Sequence, residues 1–174
     1  MTQFTMRGVA AAVLAVGFAA VSQAQESTNR VAANTDWSVF VEETPSKACW
    51  VVSQPKETVN SRDGQPAQVQ RGKILLFVTY RAGVSGEVSF AGGYPFAADS
   101  TVELDIGGTK FAMGTQDETA WAGSPEDDGK IVAAMKAGAS AIATGRSTRG
   151  TVTKDTFSLL GFTAAIEEAA TRCK

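Results

Sequence analysis

The stretch of this chain whose residue types come nearest to a reactive loop is Thr144 to Phe162, TGRSTRGTVTKDTFSLLGF, which mixes glycines, hydroxyls and two arginines before turning apolar. A phosphate-binding loop needs a strand, glycines at set positions and a helix that starts at once, so that free N–H groups point at the anion. Here GRSTRG is followed by a second β-type run, TVTKDTF, and the chain contains neither G-x-x-x-x-G-K-[ST] nor G-x-G-x-x-G. The spacer therefore reads as a hairpin connection. Arg146 and Arg149 remain candidates for a surface anion contact.

Other reactive constellations are sparse. The chain has no histidine, which removes Ser-His-Asp and Cys-His triads and histidine-based zinc sites. No cofactor motif is present. Glu126, Asp127 and Asp128 cluster where a helix is expected to start, and carboxylates there interact favourably with the positive helix end. A calcium loop would need a longer patterned ligand set. Paired acids at suitable separation can hydrolyse glycosides, but no such pair stands out. AGGYPF, Ala91 to Phe96, sets Tyr94 and Phe96 in a loop containing glycine and proline. Aromatic residues in loops can anchor a sugar or a peptide, or fold back onto the core, where they bury a large area. Trp37, Trp50 and Trp121 read as core. Arg62, Arg71, Arg81, Arg146 and Arg149 form a local basic patch only if the fold brings them together. The candidate binding surface is Tyr94, Phe96, Arg146 and Arg149.

Two cysteines, Cys49 and Cys173, are the only ones in the chain. Their value depends on compartment, and the first residues speak to that. Arg7 precedes an apolar run of 14 residues, Gly8 to Val21, and Ser22-Gln23-Ala24 places small residues at the −3 and −1 positions of a cleavage site. This pattern predicts a secretory signal peptide over 1–24. The run is too short to cross a bilayer of about 30 Å, and no later segment is apolar enough to span one. After cleavage, 150 residues from Gln25 to Lys174 would remain, with 15 basic and 18 acidic residues and a net charge of −3. That size suits one domain, and that balance gives no electrostatic reason to bind nucleic acid. An even cysteine count in an oxidising compartment predicts a Cys49–Cys173 disulfide. Closing a loop of about 125 residues restricts the unfolded chain by roughly 5 kcal/mol in the chain-entropy account.

The elements that must position these residues are mostly strands. Residues 25–34 are polar and read as a flexible segment before a single domain at 35–174. Trp37, Val39 and Val41 alternate with Ser38, Phe40 and Glu42, and ACWVVS carries Cys49 on a second strand. Pro55 to Gln70 is polar, with a turn at Asp63-Gly64. KILLFVTY is apolar on both faces and should be a central strand. TVELDI, Gly107-Gly108 and TKFAM form a two-residue hairpin. Ser124-Pro125 starts a helix over about 125–137, with Ile131, Met135 and Ala134 inward and Gly138 placed to stop it. A second helix covers about 162–172, with Phe162, Ile166, Ala169 and Cys173 on one face.

Several strings together, CWVVSQPKETVNSRDG, ILLFVTYRAGVSGEVSFAGGYPF, KIVAAMKAG and above all DTFSLLGFTAAIEEA before a terminal cysteine, resemble the invasion-associated locus B family of alphaproteobacterial exported proteins. The resemblance runs over nearly all of the chain after residue 24. It implies a mainly β fold, an immunoglobulin-like antiparallel β-sandwich with two added helices. It implies a periplasmic location, outer-membrane-associated or secreted forms included, and a link to host-cell invasion in pathogenic relatives. It carries no catalytic residues over to this chain. The first expectation is thus a non-enzymatic exported module that binds a protein or other envelope component. A carboxylate-dependent periplasmic hydrolase and a structural or stress-related envelope protein are the alternatives.

Overall fold

The structure is a computed structural model that describes residues 29–174. The expected leader at 1–24 lies outside the described residues, as does the first part of the segment read as flexible. Its last part, Arg30–Asn34, is ordered as strand β1, paired antiparallel with β2 (Trp37–Glu42). β1 is an edge strand with mostly exposed side chains, so it has little hydrophobic alternation to betray it.

The remaining strands are β3 (Ala48–Ser53), β4 (Glu57–Arg62), β5 (Gln65–Pro66), β6 (Leu75–Arg81), β7 (Val84–Ala91), β8 (Thr101–Ile106), β9 (Thr109–Gln116), β10 (Thr119–Trp121), β11 (Ser140–Arg146) and β12 (Val152–Ser158). The helices are α1 (Pro125–Ala137) and α2 (Phe162–Arg172). All strands join in one antiparallel ladder, ordered β1-β2-β3-β6-β7-β10-β9-β8-β11-β12-β4-β5. The ladder doubles back on itself, giving the expected sandwich. Phe90 on β7 meets Phe157 on β12 edge-on at 6.1 Å, although four strands separate them in the ladder. Trp37 Nε1 donates to Ser158 O at 3.0 Å across the same gap.

Period-two alternation sends one side of the central strands into this space. Leu76 and Val78 of β6, Val88 and Phe90 of β7, and Val102, Leu104 and Ile106 of β8 are buried. β6 lies between β3 and β7, as a run apolar on both faces should. Gly107 and Gly108 make the β8–β9 turn at φ +59° and +88°, where a side chain would be strained.

The helices close what the strands leave open. Ser124 Oγ accepts from Asp127 N–H at 3.2 Å and caps α1, with Pro125 at its first position. Asp128 Oδ1 accepts from the Val88 N–H at 2.8 Å, satisfying part of β7 beyond the short β10. Gly138 does end α1, but at φ −88° it is extended rather than left-handed. Glycine is needed there for space, because a Cβ would lie 2.8 Å from Ile106 Cγ2. α2 buries Phe162, Ala165, Ile166 and Ala169, and Phe162 packs edge-on against Trp37 with centroids 4.8 Å apart. Cys173, at the end of α2, is bonded to Cys49 on β3 across 124 residues of sequence. No helix among the described residues is long and apolar enough to cross a membrane.

Candidate functional site

One end of the sandwich gathers four connections around a buried guanidinium. Arg71 lies between β5 and β6, and its side chain is only 5% exposed. Asp155 on β12 is fully buried. The two meet fork to fork: Arg71 Nη1 donates to Asp155 Oδ1 at 2.7 Å, and Nη2 to Oδ2 at 2.6 Å. Arg71 Nε and Nη2 also donate to Gly92 O at 3.0 and 2.7 Å, and Nη1 donates to Asn60 Oδ1 at 3.3 Å. These five bonds use all five N–H groups of the guanidinium. Its carbon lies 4.9 Å from the centroid of the Tyr94 ring, within cation–π range.

The backbone is shaped to allow this. Gly72 N–H donates to Gly93 O at 2.8 Å, and Gly93 has φ +71°. A Cβ on Gly93 would approach the Gly72 carbonyl to 2.8 Å, so the two chains touch only because glycine stands there. Tyr94 then turns inward. Its hydroxyl is 2.7 Å from Thr153 Oγ1, and burial pushes its ionisation up from the usual value of 10.0.

Above this floor opens a cleft of about 580 Å³, lined among others by Arg62, Arg149, Glu118, Thr148, Ser147 and Gln70. Arg62, at the end of β4, donates from Nη2 to Thr151 Oγ1 at 2.8 Å. Arg149 sits in the turn between β11 and β12, which is closed by Ser147 N–H to Thr151 O at 2.9 Å and by Gly150 at φ +77°. The GRSTRG stretch is therefore the hairpin that its turn chemistry predicts, and the same hairpin carries an arginine into the cleft. Arg149 makes no hydrogen bond or ion pair among the described residues. Ser147 Oγ accepts from Thr151 N–H at 3.1 Å, which leaves its own hydroxyl hydrogen to donate.

The expected binding surface is thus only partly assembled. Tyr94 and Arg149 line one cleft, joined by Arg62 and Arg71. Phe96 does not line it: it is 6% exposed and packs against Tyr94 and Phe90, because a large apolar ring gains more from the core than from a loop surface. Arg146 is exposed at the end of β11 but outside the cleft lining. Arg81 is remote in role, paired with Glu87 at 3.0 Å. Trp37 is core, as expected. Trp50 is not: it points outward from β3 and stacks on Phe40, with centroids 5.5 Å apart. Both line a concavity of about 830 Å³ on the outer face of β2, β3 and β6.

Asp155, beneath the cleft, was not signalled by sequence, whereas Arg62 and Arg71 stood among the arginines whose convergence the sequence left open. The single clue is an arginine beside Gly72 in a polar connector, followed at once by the central apolar strand. Among the described residues, no group of three or more histidine, cysteine, aspartate or glutamate side chains is placed to hold a metal ion.

A comparison with curated proteins finds no match. Among solved structures, the chain is similar to the crystal structure of invasion associated protein B from Bartonella henselae, with a TM-score of 0.57 and 15% identity over 81% of this chain and 96% of that one. That likeness carries the fold. The family model described as invasion associated locus B (IalB) protein matches residues 37–170, most of the chain. The chain belongs to the invasion associated locus B family.

Proposed function

We propose that this protein is an exported, non-catalytic binding module of the bacterial envelope, and that it binds through the arginine-lined cleft. The observation that carries the reading is the cleft's inventory. It presents exposed guanidiniums and hydroxyls on a floor made rigid by Arg71 and Asp155, and no activated nucleophile. Recognition needs such fixed donors, whereas acyl or glycosyl transfer needs a base or a facing acid pair as well. Among the described residues Glu118 is the one exposed carboxylate in the lining, and both oxygens of Asp155 are already engaged by Arg71. This favours binding over the hydrolase alternative.

The Cys49–Cys173 bond supports export, since disulfides persist in oxidising compartments. Family membership supports an envelope setting, and host-cell contact is the role its name attaches to pathogenic relatives. The test is affinity capture from an envelope extract, with native protein on one support and the Arg62→Gln/Arg149→Gln variant on another. The reading expects a partner enriched on the native support alone. Equal recovery on both, or none with the native protein folded, contradicts it.

A further inference from the structure

The charge count of the cleft narrows the ligand, and the narrowing rests on the binding reading above. Among the described residues, three arginines and one glutamate line it. The charge of Arg71 is matched by Asp155 at 2.6 Å and its donors are saturated, so it shapes the floor without attracting a ligand. Arg149 has no partner, and Arg62 donates only to Thr151 among the described residues. Against these two free-facing guanidiniums stands Glu118, leaving one uncompensated positive charge. A single oxyanion balances it, whereas a doubly charged group would meet Glu118 with nothing left to offset the second charge.

Size and polarity say what the oxyanion is carried on. A space of about 580 Å³ is far larger than a lone anion and falls within the range of small-ligand sites. Its walls are hydroxyls and amides, Ser147, Thr148, Thr151, Gln68 and Gln70, interrupted by the Tyr94 ring and Pro95. Such walls match a ring bearing many hydroxyls better than an apolar side chain or an acyl tail, which would leave those groups unpaired. The planar guanidinium fork matches a planar carboxylate. We infer that the cleft is a binding site for an acidic sugar, with the carboxylate held by Arg149 and Arg62 and the ring hydroxyls by the serine, threonine and glutamine side chains around them.

The experiment titrates the isotope-labelled native protein with three probes: galacturonate as a singly charged acidic sugar, galactose as its neutral counterpart, and glycerophosphoglycerol as a singly charged phosphodiester. Saturable shifts of the amides of residues 147–151 and 93–94 are expected with galacturonate alone. Affinity should fall with added salt, and by about tenfold or more in Arg149→Gln, since each charge-assisted hydrogen bond carries roughly that factor. Lys110→Gln, on the remote β8–β9 hairpin, should bind as the native protein does. Equal binding of the neutral sugar or the phosphodiester, shifts located elsewhere, or no binding by any probe would overturn the assignment. Cleft-dependent capture from envelope extract together with no uronate binding would retain the binding module and reject the acidic sugar.

Discussion

Arg71 and Asp155, 84 residues apart, form a two-pronged ion pair inside the sandwich, beneath the point where the Gly72 and Gly93 backbones touch. The pair ties the connector before β6 to β12, and the Gly92 carbonyl it holds ties in the β7–β8 connection. Cleft walls from four separate connections thereby share one rigid floor.

Removing one member should be costly, because the other is left charged and buried. Arg71→Met is expected to lower unfolding stability by about 3–5 kcal/mol in urea. Arg71→Lys should recover only part of this, since an ammonium cannot reproduce the fork to Asp155 and Gly92 together. The double variant Arg71→Met/Asp155→Leu should be more stable than Arg71→Met alone. A double variant less stable than the single one would mean that the pair is not the source of the loss.

The disulfide gives a second test. Cys49→Ala should lose about 2–4 kcal/mol under oxidising conditions, because the bond restricts a long unfolded loop. Reductant should destabilise the native protein to a similar degree and leave Cys49→Ala unchanged. Equal denaturation midpoints for the oxidised and reduced native protein would remove the bond as a stabiliser.

Asp128 separates charge from hydrogen bonding. Burial is the main cause that pushes its carboxyl above the usual 3.8, opposed by the Val88 N–H, with Glu87 and Asp127 nearby adding to the rise. A folded-state value above the unfolded one means the folded protein holds this proton more tightly. This carboxyl therefore favours the fold at low pH and weakens it as pH rises through 3.8 towards the raised value. Asp128→Asn keeps an oxygen for Val88 and drops the charge, so at pH 7 it should match or exceed native stability. Asp128→Ala should lose about 1 kcal/mol. Urea midpoints at pH 7 decide it: an asparagine variant as weak as the alanine variant would contradict the assignment.

Gly161 tests the junction of the last helix. It has φ +86°, and a Cβ there would collide with the Asn34 carbonyl of β1. Gly161→Ala should lose more than about 2 kcal/mol, from the left-handed backbone and the collision together. A near-native melting curve would show that β1 does not sit against this turn.

Local chemistry made some of this fold legible. The bounds of α1 follow from Ser124 and Pro125, whose capping and fixed φ act within a few residues, and those of α2 from the spacing of Phe162, Ile166 and Ala169. The β8–β9 hairpin follows from Gly107-Gly108. Pairing across long separations was hidden. β4 is mostly exposed, with Val59 half out in solvent, and it is a strand because β12 offers it a hydrogen-bonding edge. Its stretch, Pro55 to Gln70, therefore looked like a polar connector. The cleft was hidden for the same reason. Arg149 and Tyr94 could be singled out by type, but nothing along the chain pairs Arg71 with Asp155 or sets Arg62 beside Thr151. Phe96 and Arg146 looked equivalent to their neighbours, and only the direction of each side chain separates them.

The most direct test of the account places a photo-crosslinking residue at Thr148, on the lip of the cleft, in cells that produce the protein. The same residue at Lys110, on the exposed β8–β9 hairpin, serves as the comparison. The account predicts a discrete adduct with an envelope component from position 148, absent from position 110 and lost when Arg62→Gln and Arg149→Gln are added. Adducts of equal yield at both positions, or a position-148 adduct indifferent to the two arginines, would contradict it.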